Sequence, residues 1–100
     1  MTAISQKDIL IVDDTPDNLR VLDAILKSQG YKVRKALNGQ IALNACQISA
    51  PDLVLLDIIM PGMDGYEVCR RLKADAITCE IPVIFISAID DAVDKVKAFE

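Results

Sequence analysis

Histidine is absent from the 100 residues, which removes the commonest nitrogen ligand of a zinc site and the usual base of a Ser/His or Cys/His catalytic pair. Cysteine is scarce as well. Cys46, Cys69 and Cys79 are odd in number and form no CxxC pair, so they are expected to be buried or partly buried thiols in a reducing compartment, not a disulfide framework. No apolar run is long enough to cross a bilayer, and no Gly/Ser-rich or polar tract interrupts a chain that is 52% hydrophobic. Met1 to Gln6 lacks the basic and apolar regions of a signal peptide. These absences point to a globular protein of the cytoplasm with no membrane partner. Positive charge is also in deficit: eleven basic against fifteen acidic residues give a net charge of −4, which disfavours direct contact with nucleic acid. Arg70, Arg71 and Lys73 cluster, but on a helix they read as a solvated face.

One hundred residues suffice for a single small domain, spanning 1–100, with a modest core. Short apolar runs alternate with helical patterns. Ile9 to Val12 is a first strand, and Thr15-Pro16-Asp17 opens a helix in which Leu19, Leu22, Ile25 and Leu26 recur at helical spacing until Gly30 ends it. Tyr31 to Ala36 is a second strand. Asn38-Gly39 leads into a helix with Ile41, Ala42, Ala45 and Cys46 on one face, broken at Pro51-Asp52. Leu53 to Leu56 is the third strand, and Asp64 with Glu67 has capping-box spacing at the start of a helix over 65–74. Ile81 to Ile86 is the fourth strand, with a further helix from Asp90 through Val93, Val96 and Phe99. Runs apolar on both faces belong to buried parallel strands, so the fold class is α/β: a doubly wound parallel sheet with helices on both sides.

Three carboxylates stand at the carboxyl ends of two of those strands. Asp13 and Asp14 follow the first and Asp57 follows the third, where an open parallel sheet forms its ligand crevice. Asp13 and Asp14 alone would pass for helix caps favoured by the helix dipole. Three acids on one rim repel one another unless a cation lies between them, so the pattern indicates a divalent-metal site. Asp17, Asp52, Asp64, Asp90 and Asp91 are assigned to turns, caps or surface.

Ile11-Val12-Asp13-Asp14, the stretch from Leu55 through Asp57-Ile58-Ile59-Met60-Pro61-Gly62-Met63-Asp64-Gly65, and Ile86-Ser87-Ala88 together resemble the receiver domain of bacterial two-component response regulators. The resemblance runs from Lys7 to Glu100. It implies a flavodoxin-like fold and a phosphoacceptor module, not a turnover enzyme. Asp57 would take a phosphoryl group from a histidine kinase or phosphotransfer protein, forming an acyl phosphate. Mg2+ would be held by Asp14 and Asp57, by Asp13 largely through water, and by the backbone carbonyl of Ile59. Ser87 would donate to the phosphoryl group and switch a protein-interaction surface, with the small Ala88 letting the following backbone approach. The plain alternative for Ser87 is a cap on the helix beginning near Asp90. Pro61, Gly62 and Gly65 are expected to shape the loop by fixing one backbone angle and permitting unusual ones.

Two other enzyme or cofactor classes fit poorly. A phosphohydrolase using Asp57 as transient nucleophile typically wants a second acid two residues on, where this chain has Ile59. A flavin-binding relative would need a Gly- and hydroxyl-rich cradle where Thr15-Pro16-Asp17-Asn18 stands.

The sequence also departs from the family pattern. Four βα units are present, and the fifth strand and last helix expected of a receiver are missing, so the domain reads as incomplete at its C-terminus. No lysine can be assigned to the phosphoryl-contacting position, because Lys95 and Lys97 belong to the fourth helix pattern. The switch aromatic is unassigned too, since Phe99, Tyr31 and Tyr66 fall in other elements. The uncovered edge of the fourth strand is expected to favour a homodimer or strand-swapped oligomer. A truncated receiver acting as a non-phosphorylated interaction scaffold is the competing functional reading.

Overall fold

The computed structural model describes residues 6–86, which form a four-stranded parallel sheet with helices on both faces. The order is β1 (Asp8–Val12), α1 (Pro16–Ser28), β2 (Lys32–Ala36), α2 (Gly39–Ile48), β3 (Leu53–Asp57), α3 (Gly65–Ala74) and β4 (Val83–Ile86). The helix expected from Asp90, like Ser87 and Ala88, lies outside the described residues.

In space the strands run β2-β1-β3-β4. The chain therefore steps outward from β1 to β2 and then crosses back to the far side of β1, which places the reversal of winding between β1 and β3. Registers Ile9↔Leu53 and Val12↔Leu56 align the carboxyl ends of those two strands.

Alternation along the strands separates two apolar layers. Ile9 and Ile11 pack with Leu19, Leu22 and Leu26 of α1 and with Leu53 and Leu55. Leu10, Val12, Val54 and Leu56 face the other way, onto Ala42 and Cys46 of α2 and Val68 and Leu72 of α3. With one helix on one face and two on the other, the sheet is doubly wound, as the apolar runs imply.

Helix ends follow local chemistry. Pro16 opens α1 behind Thr15, which makes no side-chain cap. At the other end Gly30 takes φ +92°, its N–H donates to Lys27 O, and Tyr31 N–H donates to Leu26 O. That pair of bonds is a Schellman ending, and it needs the left-handed conformation that glycine adopts without penalty. Asn38 caps α2 by accepting from Ile41 N–H at 2.8 Å.

Several local expectations need correction. Ile25 and Ile41, which share the helical spacing of their apolar neighbours, are nevertheless 53% and 46% exposed. The buried stripe of α2 runs through Gly39, Ala42 and Cys46, and Ile41 falls one residue off it. The capping box at α3 is only half formed: Asp64 accepts from Glu67 N–H at 2.9 Å, but the Glu67 carboxylate turns to Arg70 and Arg71. Lys73 is no free member of a solvated basic face either, because its ammonium donates to the carbonyls of Cys79 and Ile81 and ties the α3–β4 connection to the helix. The strands expected over 31–36 and 81–86 start later than expected, at Lys32 and Val83.

Candidate metal and phosphoacceptor site

Strand β1 delivers Asp13 and Asp14 to the crevice at the reversal point, and β3 ends on Asp57 directly beside them. Carboxylate oxygens of all three lie within 4.8 Å of one another. Asp13 and Asp57 are buried, whereas Asp14 is exposed. Three acids so close, two of them withdrawn from water, repel one another strongly as carboxylates. The donor set is all oxygen, which suits a hard divalent cation such as Mg2+.

Asp13 is held in place by its own surroundings. Its Oδ1 accepts from Thr15 N–H at 2.9 Å, and its Oδ2 accepts from the Asn18 side-chain amide at 3.3 Å. Neither contact was indicated by the motif. Asn18 sits on the first turn of α1, and only the way that turn folds back over β1 brings its amide to the acid. The bond from Thr15 N–H, on the residue before α1, is a turn contact and not a cap on the helix itself, and it leaves Asp13 in the cluster.

The loop leaving Asp57 carries Ile59, whose side chain is half-buried, and then Met60, which anchors the loop in the α2/α3 core. Gly62 takes φ +77° with open space around it, so there glycine does serve an unusual backbone angle. Gly65 is different: it has no positive φ. Its N–H donates to Ile58 O at 2.7 Å, and a Cβ built on it would meet backbone atoms of Asp57 and Ile58. The expectation that Gly65 serves loop conformation is thus replaced by one of close approach. On the next residue, Tyr66 packs against Phe85 of β4 with ring centroids 5.1 Å apart. Ile86 is in register with Asp57, while the expected site residues Ser87 and Ala88 lie outside the described residues.

The thiols take no part in this cluster. Burial pushes the Cys46 thiol up from its ordinary value and keeps it protonated.

The sequence model of the response regulator receiver domain matches residues 9–100. The chain belongs to the response regulator receiver domain family. Among known members it is 46% identical to the response regulator PleD of Caulobacter vibrioides over 92 residues, covering 92% of this chain and 20% of PleD. It is 44% identical to the protein PilH of Pseudomonas aeruginosa over 88 residues, covering 88% of this chain and 73% of PilH. The chain thus spans about a fifth of the length of PleD but nearly three quarters of PilH. Its fold is that of the N-terminal domain of a response regulator receiver protein from Methanoculleus marisnigri JR1, with a TM-score of 0.82 at 32% identity over 96% of this chain and 95% of that one. Receiver domains are signalling modules of two-component systems, interact with histidine kinases or phosphotransfer proteins, and typically bind Mg2+ at an acidic pocket. No helix among the described residues is long and apolar enough to cross a membrane.

Proposed function

We propose that this receiver domain accepts a phosphoryl group on Asp57 from a histidine kinase or phosphotransfer protein in the cytoplasm, with Mg2+ held by Asp13, Asp14, Asp57 and the backbone carbonyl of Ile59. The observation that carries the reading is the gathering of three carboxylates from two strands within 4.8 Å at the reversal point of the sheet. Asp57 is the acceptor because it ends β3 and begins the Asp57-to-Gly65 loop motif.

In the transfer, a carboxylate oxygen of Asp57 forms a bond to phosphorus as the P–N bond of the donor phosphohistidine breaks. The electron pair leaves on the imidazole nitrogen, which is protonated from water. Magnesium, when bound, neutralises the charge on the carboxylates and phosphoryl oxygens that would otherwise oppose the approach of two anions. Asp14, exposed at the mouth, and Asp57, at the base, are assigned direct contact with the ion. Asp13 is assigned a role through water, and its two hydrogen bonds from Thr15 and Asn18 fix its orientation. Ser87 is assigned to donate its hydroxyl to a phosphoryl oxygen, with Ala88 leaving room for the backbone beside it. Together they convert the modification into a changed protein-interaction surface.

The test is incubation with magnesium and acetyl phosphate followed by intact mass measurement. One added phosphoryl group that requires magnesium and disappears in Asp57→Asn is expected. A folded wild-type chain that gains no mass, or an Asp57→Asn variant that gains it equally, would overturn the reading and favour an interaction scaffold.

A further inference from the structure

Gly65 lies eight residues from the acceptor in sequence but against it in space. A Cβ built there would stand 2.9 Å from Ile58 Cα and 3.0 Å from the Asp57 carbonyl carbon, and closer still to the Asp57 carbonyl oxygen. All three are backbone atoms, which cannot rotate away as a side chain can. The Gly65 N–H simultaneously donates to Ile58 O at 2.7 Å. The first residue of α3 is therefore seated on the peptide units that carry the acceptor, with no space for even a methyl group between them.

Gly39, the first residue of α2, offers an internal contrast. A Cβ there would meet Val68 Cγ2 at 2.6 Å and Met63 Sδ at 2.9 Å, side-chain atoms of the α2/α3 packing and not the backbone that carries the acceptor. Both glycines mark tight packing, but only Gly65 transmits a displacement to Asp57 and Ile58.

Resting on the phosphoacceptor reading above, we propose that Gly65 is a positioning residue for the metal and phosphoryl site, acting through the backbone of Asp57 and Ile58. Any larger residue must push α3 and the end of β3 apart. The displaced atoms belong to the acceptor itself and to the residue immediately before the Ile59 carbonyl. Two of the assigned metal contacts would move together, while Asp13 and Asp14, which follow β1, stay where they are. Misplacement of that kind, up to about 1 Å, typically costs on the order of a hundredfold in a reaction that depends on alignment.

The test compares wild type, Gly65→Ala and Gly39→Ala by Mg2+ titration calorimetry, by urea unfolding in EDTA and by the acetyl phosphate labelling rate. Both variants are expected to unfold at lower urea concentration. Only Gly65→Ala is expected to weaken Mg2+ binding, by about tenfold or more, with a matching loss of labelling rate. Affinity is a property of the folded molecules, so a purely structural role would lower the urea midpoint and leave the Mg2+ dissociation constant within twofold of wild type. That result, or an equal loss of affinity in Gly39→Ala, overturns the proposal. If Gly65→Ala is unfolded in buffer, all three proteins are titrated in trimethylamine N-oxide, which favours the compact state, and the same outcomes decide. A wild-type chain that binds no Mg2+ and is not labelled at Asp57 defeats the phosphoacceptor reading itself, a result distinct from unchanged binding in the variant.

Discussion

Ile59, two residues beyond Asp57, is half-buried, and on the phosphoacceptor reading its branched apolar side chain is expected to shield the acyl phosphate. An apolar group there gives an attacking water no hydrogen-bond partner, so Ile59→Asn is expected to hasten loss of the phosphoryl group several-fold, on the order of 1 kcal/mol of barrier. The decay of the phosphorylated mass after removal of donor measures it, and an unchanged or slower decay would count against the shielding role. The acids of the site were legible in the sequence because each closes an apolar run, and a run of that kind in a parallel sheet ends at the crevice. Asn18 and the contact of Gly65 were not legible. The first depends on α1 folding back over β1 and the second on how closely α3 seats on β3, and neither distance is encoded by spacing along the chain.

Helix α3 carries both the link to the acceptor and its own charge network. Hydrogen bonds from Arg70 and then Arg71 hold the Glu67 carboxyl down to about 2 from its ordinary 4.5. A carboxyl lowered in the folded state stabilises the fold fully above its unfolded value and loses that contribution as pH falls through the folded one. The contribution of Glu67 should therefore be complete above about pH 4.5 and decline towards pH 2. Glu67→Gln should flatten that part of the stability profile, read from urea midpoints across the window, and an unaltered profile would contradict the assignment. Helix and strand positions were readable from periodicity, and Gly30 from the turn it must make. Which apolar residues of a helix reach the core was less so: Ile25 and Ile41 fit the period yet lie at the margin of their buried stripes, a margin set by where the sheet meets each helix.

Taken whole, the described residues leave β4 at one side of the sheet, with Ile84 52% exposed and Phe85 38% exposed. The architecture itself was legible because the β/α alternation and doubly apolar strands admit few topologies, and the β2-β1-β3-β4 order is the one that brings β1 and β3 together at the crevice. What that crevice does is tested most directly by locating the phosphoryl group. After labelling with acetyl phosphate and magnesium, borohydride reduction converts an aspartyl phosphate to homoserine, and peptide sequencing by mass spectrometry finds the converted position. Homoserine at 57 alone is the predicted result; homoserine at 13 or 14, or at no aspartate in a folded and labelled protein, would contradict the account.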